Sequence, residues 1–167
     1  MTTHAESRHT SHRAGSGASA LVLLGHLVAV AVVAALGGLA ASSAQDTYAA
    51  LDLPPYAPPS WLFGPAWTVL YVLMAVAAWR TWRVAGLDRA QLAYGVQLLL
   101  NLAWTPLFFS ADRYAVALAE IVVLWCALAV TLVLFWRRDR VAGWLMVPYL
   151  AWVSFATALN AGIVVLN

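Results

Sequence analysis

Five long apolar runs constrain this chain more than any other feature: residues 20–44, 65–84, 90–109, 114–136 and 142–166. A helix rises about 1.5 Å per residue, so roughly 20 apolar residues cross the ~30 Å hydrocarbon layer of a bilayer. Within that layer every backbone donor and acceptor must find a partner, and a helix supplies one inside each run. The expected fold is an all-α integral membrane protein, a bundle of five transmembrane helices. Charged residues make up only 10% of the chain against 63% hydrophobic, which excludes an ordinary soluble domain.

An odd number of spans puts the two termini on opposite sides, and the arginines choose between them. All nine basic residues are arginine. Arg8, Arg13, Arg80, Arg83, Arg89, Arg137, Arg138 and Arg140 share one side, with Arg113 opposite. The expected placement is a bacterial inner membrane with a cytoplasmic N-terminus. Trp79, Trp82, Trp136 and Trp144 lie near the same end, where indoles anchor at headgroup level. The net charge of +2 therefore reports orientation in a lipid membrane, and no nucleic acid is expected as a partner.

Residues 1–19 are polar and small, and they read as a disordered tail before a five-helix domain over 20–167. His4, His9 and His12 lie in that tail without carboxylate or thiolate partners at ligand spacing, so no metal site is expected. The first run follows basic residues, as a cleavable signal does, but it exceeds the roughly 7 to 15 residues of a signal core. Ala34, Gly38 and Ser42 recur every fourth residue along it, a pattern that lets another helix approach. His26 reads as an interfacial or hydrogen-bonded histidine. The single cysteine, Cys126, excludes an intrachain disulfide and reads as a packing residue.

Between the first two runs lies a loop, 45–64, expected to act as a lid. Pro54, Pro55, Pro58 and Pro59 fix φ and remove donors, so this stretch should run extended and stiff. Pro65 suits a first helical turn, after which Trp67, Tyr71, Met74 and Ala78 fall along one face.

Two other spans carry polar and aromatic stripes. The third has Gln97, Asn101 and Trp104, and the fifth has Tyr149, Trp152, Ala156 and Asn160. Counting the helical rise from the membrane face that carries the loop places Tyr71, Asn101, Glu120 and Asn160 at one depth, roughly 9 to 12 Å down. Polar groups at that depth face a bundle interior or a cavity, so the four belong either to one ligand site or to a hydrogen-bonded layer joining helices. Glu120 reads in the same two ways, as a ligand contact or proton site, or as an acid joining helices. No cluster resembles hydrolytic or metal catalysis, and no cofactor is expected.

Three segments resemble a known family. They are Pro-Pro-Ser-Trp-Leu-Phe-Gly-Pro-Ala-Trp-Thr-Val-Leu-Tyr-Val-Leu-Met from Pro58, Gln-Leu-Leu-Leu-Asn-Leu-Ala-Trp from Gln97, and Pro-Tyr-Leu-Ala-Trp-Val-Ser-Phe-Ala-Thr-Ala-Leu-Asn from Pro148. In this order they resemble the tryptophan-rich sensory protein family, which includes the translocator protein or peripheral benzodiazepine receptor. The resemblance implies a five-helix bundle, commonly a homodimer, that binds porphyrins such as protoporphyrin IX under the first loop. It puts the family's pocket tryptophans on Trp67 and Trp152, beside Asn101, Trp104 and Ala156. It also implies a possible light- and oxygen-driven degradation of porphyrin, with Trp67 and Trp152 as the redox-active groups. Transport of porphyrin or sterol is a further reading, but no inverted repeat or broken helix supports it. Relatives that bind cholesterol carry an aromatic and a basic residue soon after the Leu-Asn pair, whereas Ala161 to Asn167 offers neither.

Overall fold

The structure is a computed structural model that describes residues 16–42 and 44–167. Its elements are α1 (Ser16–Ala40), α2 (Ala44–Ala50), a 3-10 turn (Ser60–Leu62), α3 (Phe63–Ala85), α4 (Arg89–Phe109), α5 (Tyr114–Arg138) and α6 (Arg140–Leu166). All but α2 and the short turn are long and apolar enough to cross a membrane, which makes five spans among the described residues. The spans close into a ring: α1 packs on α3, α3 on α6, α6 on α5, α5 on α4, and α4 on α1.

Helix ends follow local chemistry. Asp88 accepts from the Ala90 and Gln91 amides to cap α4, and Asp139 accepts from Val141 and Ala142 to cap α6. Each satisfies amides that a helix start leaves without partners. Gly86 ends α3 at φ 64°, a left-handed value that glycine adopts without a steric penalty. The same two aspartates also hold arginines, Asp88 with Arg138 and Asp139 with Arg80, each pair at 2.8 Å. One end of the bundle is thus an arginine-rich end, and the other carries the first loop.

Three boundaries differ from expectation. α1 stops at Ala40 rather than near residue 44, because Gly37 and Gly38 weaken its last turn and the chain tightens there. The loop expected over 45–64 begins with α2, whose alanines favour a helix and whose Asp46 stands in its first turn. The tail expected over 1–19 lies outside the described residues as far as residue 15, and Ser16 to Ser19 are helical. From Leu53 to Pro59 the prolines run without helix, apart from one turn closed by the Ala57 amide on the Pro54 carbonyl at 2.9 Å.

Lipid tails are as apolar as the core, so packing and interhelical hydrogen bonds hold such a bundle together. Ala75, Ala77 and Ala78 of α3 are fully buried, and their small side chains bring neighbouring backbones close. Gln91 joins three helices: its amide nitrogen donates to the Ala78 carbonyl at 2.8 Å, and its Oε1 lies 3.2 Å from His26 Nε2. Trp79 donates to the Ser19 carbonyl at 2.9 Å, fixing α1 on α3 at the arginine-rich end.

Candidate functional site

A cavity of about 860 Å³ occupies the loop-end half of the bundle. α3 presents Phe63, Trp67 and Tyr71 to it, at a four-residue spacing that keeps all three on one face. From α4 come Asn101, Trp104 and Thr105, and from α6 come Trp152, Val153 and Ala156. Ile121 and Leu124 of α5 also reach it, while α1 forms the remaining wall with Ala31, Ala34 and Gly38. Gln45, Tyr48 and Trp61 of the first loop complete the lining.

Aromatic rings order this space. The Trp67 and Trp152 centroids lie 6.5 Å apart at 80°, edge to face. Phe63 meets Trp152 at 6.0 Å, and Tyr48 meets Phe63 at 5.5 Å, both edge to face. Trp67 also packs against Tyr71 at 5.4 Å and Tyr149 at 6.0 Å. Such contacts contribute about 0.5 to 1.5 kcal/mol each beyond area burial, so the indoles hold fixed orientations around the cavity.

Polar groups behind the aromatic lining are joined in chains. The Tyr71 hydroxyl donates to Asn101 Oδ1 at 2.8 Å, and Asn101 Nδ2 donates to the fully buried Tyr149 hydroxyl at 3.0 Å. That chain links α3, α4 and α6. Higher up, Trp104 Nε1 donates to Asn160 Oδ1 at 3.4 Å, and Asn160 Nδ2 donates to the Tyr114 carbonyl at 3.0 Å.

The first loop is stitched down over the cavity. Tyr48 donates to the Pro58 carbonyl at 2.9 Å, closing the loop on itself, and burial pushes the Tyr48 phenol up from its ordinary value, so it stays a donor at neutral pH. Tyr56 donates to the Ala158 carbonyl of α6 at 2.9 Å. Asp52 and Asn167 exchange two hydrogen bonds of 3.1 Å, backbone to side-chain amide. Gly162 makes room for this: a Cβ there would lie 2.7 Å from the Tyr56 hydroxyl and 3.1 Å from Pro54 Cγ.

Of the residues singled out from the sequence, Trp67, Tyr71, Asn101, Trp104, Trp152 and Ala156 line this one cavity. Glu120 and Asn160 do not. Asn160 is buried and serves the Trp104 to Tyr114 link. Both carboxylate oxygens of Glu120 are buried without a hydrogen-bond partner among the described residues. Residues missed from sequence are Tyr48, Trp61 and the α1 wall. The four-residue recurrence of Ala34, Gly38 and Ser42 was a signal for that wall, since all three line the cavity.

A ring of five spanning helices around an aromatic cavity, with a loop bound across its end, defines a multi-pass integral membrane protein with an internal small-molecule-sized site. The sequence profile of the TspO/MBR family matches residues 26–166, and the chain belongs to that family. It is 44% identical over 116 residues to the tryptophan-rich sensory protein of Cereibacter sphaeroides, covering 70% of this chain and 73% of that one. Protein CrtK of Rhodobacter capsulatus is 39% identical over 149 residues, 85% of this chain and 90% of its own. The human translocator protein is 37% identical over 118 residues, 68% and 70% of the two chains.

Proposed function

We propose that the protein is a membrane receptor or sensor that binds a flat, amphipathic tetrapyrrole of the protoporphyrin IX kind in this cavity. The observation that carries the reading is the placement of Trp67 and Trp152, from different helices, as two indoles 6.5 Å apart in one cavity wall. The volume of about 860 Å³ lies within the roughly 300 to 1,000 Å³ usual for small-molecule sites. Relatives named as a sensory protein and a translocator protein support a receptor role. The loop holds Asp46 and Asp52 but no lysine or arginine, so it gives porphyrin propionates no side-chain cation. Ring stacking then dominates affinity, and Gln45 and Thr105 are among the polar lining groups that orient the ligand. Glu120 lies behind the wall as a bundle residue in this reading.

The protein acts as a homodimer in a bacterial inner membrane with its N-terminus in the cytoplasm. Light scattering in detergent reads the first of these, and a mass of one chain would refute it.

The binding test is a tryptophan-fluorescence and porphyrin-absorbance titration of the purified protein. Saturable quenching is expected, with Trp152→Ala weakening it by at least about tenfold, or 1.4 kcal/mol. Unsaturable quenching, equal in the variant, sinks the receptor reading.

A further inference from the structure

α1 packs between α3 and α4. At the arginine-rich end it is fixed to both neighbours, to α3 through Ser19 and Trp79 and to α4 through His26 and Gln91. Toward the loop end the polar contacts of α1 run to α4. There a Cβ on Gly37 would lie 3.6 Å from Thr105 Oγ1, and the Ser110 hydroxyl donates to the Ala40 carbonyl at 2.8 Å. Among the described residues no hydrogen bond joins the loop-end halves of α1 and α3. The loop-end halves of both helices line the cavity, which lies between them.

The lining residues carry the mark of that opening. Ala31 and Gly38 on α1, and Gly64, Thr68 and Val72 on α3, all line the cavity and are all exposed. A residue that is both lining and exposed stands on a rim. These five fall on the facing edges of two adjacent spans, at comparable heights by the helical rise, so the rim looks sideways into the bilayer. The side chains are small, and a Cβ added at Gly38 or Gly64 would meet nothing within 4 Å. Ser42, Gln45 and Trp61 continue the rim up to the loop on this same side, whereas on the α6 side the loop is held by Tyr56 on Ala158 and by Asp52 on Asn167.

We infer that the ligand enters and leaves this cavity laterally, from the hydrocarbon layer, by the gap between the loop-end halves of α1 and α3, while the loop stays in place. The ligand class is then a molecule already dissolved in the membrane. This rests on the receptor reading and adds a route to it. A route through the loop would have to break hydrogen bonds to α6, whereas the lateral gap requires only that lipid tails give way to an equally apolar face.

The test uses the full chain in lipid vesicles with protoporphyrin IX as the probe, and stopped-flow tryptophan quenching as the readout of association and release. Thr68→Leu and Gly38→Leu put bulk on the rim from two different helices. Tyr56→Phe loosens the loop without touching the cavity. The inference expects association and release both slowed by about tenfold in either rim variant, and both unchanged in Tyr56→Phe. Slower release is the decisive sign, since a side chain that merely filled the site would speed release. Rim variants with unchanged or faster release, or a Tyr56→Phe protein in which both rates rise, overturn it. An absence of quenching in the wild-type protein removes the receptor reading itself, and the route falls with it.

Discussion

Tyr56 reaches across 102 residues of sequence to donate its hydroxyl to the Ala158 carbonyl at 2.9 Å. The contact exists because Gly162, one helical turn beyond Ala158, has no side chain to fill the space the phenol occupies. A surface hydrogen bond of this kind contributes about 0.5 to 1.5 kcal/mol. Tyr56→Phe should therefore lower stability by no more than that. Gly162→Val should cost more, because its branches would meet both Tyr56 and Pro54 and lift the loop. Thermal unfolding with limited proteolysis of the 51–59 segment reads both effects. A Gly162→Val protein as stable and as protease-resistant as wild type would show that the loop is not seated there.

Asn101 is held between two hydroxyls, and removing it strands both inside the bundle. Asn101→Leu should cost about 1 to 3 kcal/mol, more than Tyr71→Phe, which leaves the Asn101 amide paired with Tyr149. Unfolding in detergent measures each, and the double variant tests coupling. Strict additivity would mean that Tyr71 and Asn101 act independently.

Among the described residues Glu120 has neither a hydrogen-bond partner nor a place on the cavity wall. Glu120→Gln should leave porphyrin affinity unchanged. Glu120→Met should raise stability by about 1 to 3 kcal/mol, since an apolar group of similar size removes a buried polar group that has no bond to lose. A change in affinity with Gln would return Glu120 to the ligand site.

Trp67→Phe and Trp152→Phe keep an apolar ring and remove the indole N–H and its easier oxidation. For a receptor, binding should weaken by less than about tenfold, and any loss of porphyrin absorbance under illumination should be slow and equal in wild type and variants. An illuminated time course at saturating protein, with dark and free-porphyrin controls, decides the matter. A decay that is fast in wild type and falls sharply in either variant would make the protein a catalyst.

Among the described residues Arg80, Arg83, Arg89, Arg137, Arg138 and Arg140 lie toward one end of the spans, and Arg113 lies at the other. A reporter fused after Asn167 should behave as periplasmic in a bacterial host. A cytoplasmic signal would reverse the orientation and put the loop inside the cell.

The spans were legible because hydrocarbon tolerates so few alternatives: a run of about 20 apolar residues has to be a helix. Most cavity-lining residues were legible as stripes on one helix face, and depth grouped the polar ones. Helical rise puts Tyr71, Asn101, Glu120 and Asn160 at one depth, but depth says nothing about azimuth, and azimuth separates Asn101, on the wall, from Glu120, behind it. Tyr149 stood on the same stripe as Trp152, yet its part became visible only with the Asn101 bond. The α1 wall was hidden for a related reason. Small residues on a span read as a surface for another helix, whereas here Ala34, Gly38 and Ser42 face the cavity. α2 was hidden by the prolines that follow it.

Arg138 and Asp139 are neighbours in sequence with opposite charges, and each grips its complement, Asp88 at the start of α4 and Arg80 near the end of α3. Synthesis runs from the N-terminus, so Arg80 and Asp88 emerge before the partners they pair with in the folded bundle. Both wait for a single dipeptide on the connection after α5. The two ion pairs can therefore form only once α5 is complete, and a single dipeptide then ties the α5–α6 junction to α3 and α4 together.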